Sequence, residues 1–549
     1  MSGPDRTDLS HLGDFTTTRR TLVIAALALP IGALSAGVAW CLLRLIGLIT
    51  NAVFYQRYGT ALVAPGEGHH APLLILLAPV CGGLVIGLLA RFGSEKIRGH
   101  GIPEAIESIL ISGSKVQPRV ALLKPLASAV AIGTGGPFGA EGPIIMTGGA
   151  FGSISAQLLH LTADERKTLL VAGAAAGMAA TFNAPLASVL LAVELLLFEW
   201  RPRSFVPVVS AVAVATIVRV PLLGSGAIFP TPTGALHLDA GIYGLCVVAG
   251  ALAGLLALVA TSLVYLSEDT FHRLPIHWMW WPAIGGLIVG LGGLVVPQAL
   301  GVGYNVVDAE LNGSIALDLI VGILVVKTLI WSLSLGSGTS GGVLAPMLMI
   351  GGALGGLEAE IFPHVAAGFW PLIGLAGVLG GVMRSPLTGV VFALELTHRY
   401  EALLPLLIGS TVAFVVSVLI LRRSVLTEKI ARRGLHLTRE YSVDPLEVLF
   451  VGDVMSGGSL APPGAHTPPA VYADDTLRHV AYVMAESGYT ELPVLQRSDP
   501  SCVLGSVNLE QLLQGRLRDL HEDRHSERVL RPLDLIGFGR RNGVRERVG

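Results

Sequence analysis

Long apolar runs separated by short polar clusters occupy most of this chain. Segments near 22–48, 72–90, 119–132, 205–222, 241–267, 280–298, 315–335 and 402–421 carry few or no charges. A helix needs about 20 apolar residues to cross a bilayer core, so the pattern predicts an all-α polytopic membrane protein. The first run follows Arg19 and Arg20 and is too long for a signal-peptide core, which predicts that it is retained. Near residue 435 the pattern turns polar, with proline-rich loops around 461–469, and takes on the shorter periodicities of a soluble domain.

Composition sharpens this reading. Of 549 residues, 52% are hydrophobic and 14% charged, and the mean hydropathy is +0.67. The net charge of −2 averages a membrane body with a soluble tail, so it says little about partners. Arginines and lysines flank the first span, crowd Arg91, Lys96 and Arg98, and follow the last span at Arg422, Arg423, Lys429, Arg432 and Arg433. The positive-inside rule puts these loops and both termini in the cytoplasm. Cys41, Cys81, Cys246 and Cys502 show no metal-ligand spacing. The first three lie in apolar runs and are expected to be buried free thiols. The pattern calls for no cofactor, metal or nucleic acid.

An internal repeat carries the functional argument. "PIIMTGGAFG" (143–152) aligns with "PMLMIGGALG" (346–355), and "PLASVLLAVEL" (185–195) with "PLTGVVFALEL" (386–396), each with six identities. "GHGI" (99–102) aligns more weakly with "GVGY" (301–304). The matches keep one order at nearly one offset, so the body comprises two related halves, about 20–220 and 235–421. Each half holds a glycine-rich break ending in proline: "GTGGPFGAEGP" (133–143) and "GSGTSGGVLAP" (336–346). Proline suits the first turn of a helix, where its missing N–H is not needed. Each break therefore ends in a helix amino terminus at membrane depth, with free N–H groups and about half a positive charge. Paired interruptions of this kind mark the substrate site of a repeat-built transporter, and the substrate they suit is an anion. "GGAFG" and "GGALG" read instead as close helix packing.

These motifs resemble the CLC family of chloride channels and chloride/proton antiporters. "GHGIPE" (99–104) is similar to the family's GSGIPE, "GAEGP" (139–143) to GREGP and "GGVLAP" (341–346) to GxFxP. "FNAPLASVLLAVE" (182–194) is similar to the family helix that follows. The resemblance covers about 20–434. It implies two inverted-repeat halves with short broken helices, and a homodimer with one anion pathway in each subunit. It also implies that Glu141 is the gate, and in antiporters the proton carrier. The implied anion path is lined by His100, Gly101, Ile102, Ala140, Gly142, Val343, Leu344, Ala345 and Leu426. A charge near the bilayer centre costs about 2.5–3.5 kcal/mol on insertion scales, which local N–H donors offset.

Several positions depart from the family pattern. Ala140 replaces the arginine beside the gate. His100 replaces the serine of the central anion site, and reads either as an anion donor that titrates near neutral pH or as a solvent-facing loop residue. Leu426, in "SVLTEKIARRG" (424–434), stands for the inner tyrosine. Leu195 stands where many antiporters have a second glutamate. Glu199 lies one turn further on if the helix continues. It is a candidate point of proton access, although the plainer reading, an interfacial acid beside Arg201 and Arg203, is preferred. Glu194 and Glu395 are repeat mates, so a shared structural role is expected. Glu104 sits in the first turn of its helix, where an acid is favourable.

The expected layout is a segment at 1–20, a transmembrane domain at 21–434, a linker at 435–448, a small α/β CBS-like domain at 449–520 and a charged tail at 521–549. "VGDVM" (451–455), "DDTLRHVAYVMAESGYTELPVL" (474–495) and "VLGSVNLEQLL" (503–513) follow the CBS order of strand, helix, strand, strand and helix. Asn508 and Gln511 replace the Thr and Asp that hold the ribose, which speaks against nucleotide binding. Pairing of tails across the homodimer is the expected use. Chloride or another small anion, protons and lipid are the implied partners, in a bacterial inner membrane. A passive chloride channel is the alternative. A remote one is an intramembrane serine protease, because "GTSG" (338–341) matches G-x-S-G, with His398 as the only candidate base.

Overall fold

The computed structural model describes residues 19–110, 112–231, 236–432, 446, 449–457 and 468–514. The chain divides into two units, one within 13–439 and one within 440–549. Apart from Leu446, the expected linker lies outside the described residues, as do the charged tail and almost all of the first 20 residues.

The membrane body repeats helix for helix. Its first half comprises α1 (Arg20–Phe54), α2 (Pro72–Phe92), α3 (Ile102–Leu110), α4 (Pro118–Gly133), α5 (Glu141–Leu158), α6 (Ala163–Phe182), α7 (Pro185–Leu191, continued by a π-helical turn to Leu197) and α8 (Pro202–Leu223). The second half begins with α9 (Ala240–Arg273), α10 (Trp281–Val295), α11 (Tyr304–Leu311) and the single mate of α4, which is α12 (Leu317–Gly322) continued by a π-helical turn (Ile323–Lys327) into α13 (Thr328–Gly336). It continues with α14 (Leu344–Ala359), α15 (Phe369–Met383), α16 (Pro386–Thr397) and α17 (Leu403–Ile420), and α18 (Glu428–Arg432) follows. Packing repeats as well: α1 on α8 matches α9 on α17, and α5 on α6 matches α14 on α15. Pairs α2–α10 and α7–α16 join the halves.

Among the described residues, seven helices are long and apolar enough to cross a membrane. The 16-residue α4 is not one of them, so the apolar run at 119–132 ends short of the gate rather than spanning alone. Helix α15 is buried along its whole length and α6 over its last fifteen residues. A helix apolar all round belongs in such a core. Close packing there depends on glycine. Gly148 touches Gly173, and their repeat mates Gly351 and Gly374 touch each other, each too tightly to admit a Cβ. Expected burial fails at two cysteines. Cys246 is buried, but Cys41 and Cys81 are exposed on the outer face of the bundle. An apolar run does not distinguish a core face from a lipid face, since both favour apolar side chains.

The smaller unit has a four-stranded sheet, order β1-β4-β3-β2, with β1 (Ser456–Gly457), β2 (Val471–Tyr472), β3 (Glu491–Gln496) and β4 (Asp499–Asn508). Strands β2 and β3 run parallel, joined through α19 (Leu477–Ser487), and β4 returns antiparallel. Val471, Leu477, Val480, Leu492, Val494 and Val507 form its core.

Candidate anion pathway

The two glycine-rich breaks meet. Helix α4 ends at Gly133, and α5 starts afresh at Glu141; α13 ends at Gly336, and α14 starts at Leu344. Between them the breaks pair antiparallel: Gly342 N–H donates to the Gly139 carbonyl at 2.8 Å, and Gly139 N–H to the Gly342 carbonyl at 3.4 Å. The amino terminus of one half's helix thus faces that of the other, and their fixed partial positive charges converge.

Glu141 sits at that convergence. Its side chain is fully buried, and Oε1 accepts the Ala345 N–H at 2.8 Å, in the first turn of α14. Oε2 has no hydrogen-bond partner among the described residues. Glycine is required around it, because a Cβ at Gly139 or Gly342 would collide with the carboxylate. Chemically, a carboxylate from one half occupies the anion-binding helix end of the other.

Most residues of the expected path gather here. Ala140 flanks Glu141 at the start of α5, and Val343, Leu344 and Ala345 form the start of α14; all are fully buried. Gly101, at φ +93°, backs onto the Gly142 carbonyl, and Gly142 onto the His100 carbonyl, so the start of α3 packs against the first turn of α5. Ile102 is fully buried. His100 is 4% exposed, with Nδ1 unpartnered among the described residues. That corrects the solvent-loop alternative: contact with α5 pulls the loop inward. His100 lines a cavity of about 580 Å³ together with Glu104, Tyr265, Lys429 and Arg432.

Leu426 is fully buried beside this cavity, without lining it. The hydroxyl of Tyr265, on α9, donates to the neighbouring Val425 carbonyl and ties that segment down. Glu199 is not a further turn of helix. The π-helical turn ends at Leu197, and Phe198 takes φ +54°, a left-handed stop. Glu199 instead accepts from Ser204 Oγ at 2.5 Å and lies 3.6 Å from Arg201 and 3.8 Å from Arg203.

Glu194 and Glu395 share one structural role. Pro185 and Pro386 open α7 and α16, so each first turn lacks a donor and the next N–H groups are free. Glu395 accepts from the Leu186 and Ala187 N–H groups at 2.9 and 2.8 Å, and Glu194 accepts from Thr388 N–H at 3.1 Å and its hydroxyl at 2.5 Å. Each glutamate caps the other half's helix. The Glu104 carboxylate accepts the Gly101 N–H at 2.7 Å and pairs with Lys429.

Two buried lysines escaped the motif reading. Lys124 donates to the carbonyls of Ile97 at 2.9 Å and Gly99 at 2.6 Å. Lys327 donates to those of Ala299 at 2.9 Å and Gly301 at 2.7 Å. They are repeat mates at the offset that relates the proline motifs, and a lysine inside an apolar run is itself a signal.

Ser340 is hydrogen-bonded to Ser128 at 2.8 Å. His398 ends α16 and stacks on Tyr400. The G-x-S-G serine therefore has another serine as its partner, and the protease reading loses its base.

Two related halves whose broken helices aim their amino termini at one buried point define an anion-conducting membrane protein. The chain belongs to the voltage gated chloride channel family, the CLC family, whose sequence model matches residues 82–418. It is similar to the crystal structure of a slow cyanobacterial Cl−/H+ antiporter at 24% identity, over 76% of this chain and 99% of that one, with a TM-score of 0.64. A CLC-type fluoride/proton antiporter matches at 19% identity, over 73% and 97%, with a TM-score of 0.62. A eukaryotic CLC transporter matches at 18% identity, over 89% and 98%, also with a TM-score of 0.62. These likenesses establish the fold.

Proposed function

We propose that this protein exchanges chloride for protons across a membrane, with Glu141 as both gate and proton carrier. The observation that carries this reading is the Glu141 carboxylate seated on the Ala345 N–H of α14, sealed from solvent. An anion and this carboxylate compete for the same helix end. Protonation removes the charge that holds the side chain there, the neutral acid swings out, and an anion takes its place. Loss of the proton on the other side returns the carboxylate and expels the anion. Two of the similar structures, a Cl−/H+ antiporter and a fluoride/proton antiporter, are consistent with this cycle.

His100, Gly101, Ile102, Ala140, Gly142, Val343, Leu344 and Ala345 line the path, with His100 as a hydrogen-bond donor to the passing anion. The inner side is less well closed. Leu195 brings no acid, Leu426 no hydroxyl, and Glu199 is committed to Ser204 and two arginines. Coupling is therefore weak. The protein works as a homodimer in a bacterial inner membrane, with both termini in the cytoplasm and the tails paired. Nucleotide binding by the CBS-like tail is disfavoured, because Asn508 and Gln511 hydrogen-bond to each other's backbone N–H groups at 2.8 and 2.9 Å rather than offering their side chains to a ribose.

The test is purified protein in liposomes, recording chloride and pH together. An outward chloride gradient draws protons inward. Robust chloride flux with no proton movement at any pH would leave the passive-channel reading standing.

A further inference from the structure

Two cations in the wall of the cavity beside His100 are committed to acids. Lys429 pairs with Glu104, and Arg432 with Asp269 and Glu428. Arg98, which also lines that cavity, is held in another way. Its guanidinium carbon lies 4.7 Å from the centre of the Trp278 ring and 5.5 Å from that of Trp281. Among the described residues the guanidinium has no ion pair and no hydrogen-bond partner, and its Nε is buried. Glu95 and Glu268 act on it only from a distance. Glu95 is exposed, and Glu268 lies 3.9 Å from Arg432.

The backbone around Arg98 is fixed from both sides. Lys124 donates to the carbonyls of Ile97 and Gly99, its two chain neighbours. Gly99 also pairs, in parallel, with Ser340 of the second glycine-rich break. Gly338 of the same break, at φ +81°, makes room for the guanidinium: a Cβ there would lie 2.8 Å from Nη2 and 2.9 Å from Nε. The charge is therefore set between two indoles and bare backbone, two residues from His100. Stacking occupies the face of the guanidinium and leaves its N–H edge as a rigid fork of donors. A fixed cation in a cleft also raises the local concentration of anions.

We propose that Arg98 is an anion-docking residue of this cavity, where a small monovalent anion binds the N–H edge of the guanidinium before it passes His100 toward the helix ends at Glu141. The two sites differ in kind. The one at Glu141 is built from backbone N–H groups, whereas this one uses a full side-chain charge that Trp278, Trp281 and Gly338 hold in place. The inference rests on the reading of this cavity as a mouth of the anion path.

The test uses iodide, an anion that quenches indole fluorescence on contact, with full-length wild type, Arg98→Gln and Trp278→Phe in detergent. The wild type should show a saturable component of quenching that chloride displaces and that Trp278→Phe reduces. Arg98→Gln should raise the iodide concentration for half-maximal quenching by about tenfold, the loss of one hydrogen bond between charged groups. Quenching by neutral acrylamide should stay the same. In liposomes, the chloride concentration for half-maximal flux should rise in the same direction. Purely linear quenching of the wild type, or saturable quenching that Arg98→Gln or Trp278→Phe leaves unchanged, would overturn the site; the wild-type and Trp278→Phe results decide it if Arg98→Gln does not fold. Weakened quenching with an unchanged half-maximal flux would overturn its place on the route. If the wild type carries no chloride, the transport reading fails instead, and quenching alone decides whether Arg98 docks an anion.

Discussion

In the first half of the body the glycine-rich break ends in Glu141; at the matching place in the second half stands Leu344. The backbones are alike: each break ends a helix, pairs with the other through Gly139 and Gly342, and opens a new helix two residues later. The scaffold is duplicated and the chemistry is not. One half supplies the carboxylate, and the other supplies the bare helix end that receives it. Two glutamates here would repel each other across a buried site, and two leucines would leave the anion path without a titratable gate.

The largest effect should come from removing that asymmetry. Glu141→Gln leaves two uncharged helix starts. Chloride flux should persist or rise while proton coupling disappears, as read in the liposome assay. Protons still driven against their gradient by the variant would show that Glu141 is not the carrier.

The lysine pair probes the same contrast one shell further out. Either Lys→Met change strands two buried carbonyls, and Lys327→Met also removes a buried cation within electrostatic reach of Glu141. A buried carbonyl left unsatisfied costs about 1–3 kcal/mol, and the loss of that cation adds to it. Thermal unfolding in detergent should therefore show Lys327→Met as the less stable variant, because Glu104 keeps Lys429 when Lys124 is lost. Equal losses would mean that carbonyl satisfaction alone sets the cost.

His100 has no counterpart of its own type, since its repeat mate is Val302. His100→Ser shortens the donor at the anion path. A hydrogen bond to a charged group contributes about 1.5–3 kcal/mol, so relative anion permeability should shift by about tenfold. Any pH dependence centred on the imidazole should weaken. Unchanged selectivity would remove His100 from the path.

The pattern of glycines and prolines made the broken helices, the repeat and Glu141 legible, because those residues mark backbone that neither a plain helix nor a lipid face requires. Lys124 and Lys327 belong to no motif and are not legible as site residues. They are lone charges inside apolar runs, and nothing in the sequence says which carbonyls they satisfy. Cys41 and Cys81 were misplaced because lipid and protein core reward the same side chains. A helix running on to Glu199 is stopped at Phe198 by a left-handed residue, and phenylalanine does not advertise such a stop. The preference for an interfacial acid had the better physical ground, with two arginines within four residues.

The smallest expected effects belong to the reciprocal caps, where the halves treat each other alike. Glu395 takes the Leu186 and Ala187 N–H groups of α7, and Glu194 takes the Thr388 N–H and hydroxyl of α16. A glutamine in either place keeps an acceptor but loses the charge that the helix end favours, a loss of about 0.3–1 kcal/mol, up to about 2 where partly buried. Glu395→Gln weakens the hold on the Leu186 and Ala187 N–H groups, and Glu194→Gln that on the Thr388 N–H and hydroxyl, so each should lower the midpoint of thermal unfolding. The Leu186 and Ala187 donors of one cap and the Thr388 donors of the other are different groups, so the double variant should lose the sum of the two single losses to within about 0.5 kcal/mol. A double loss well beyond that sum in thermal unfolding would show that α7 and α16 stand or fall as one unit, and that the symmetry joining the halves is cooperative as well as geometric.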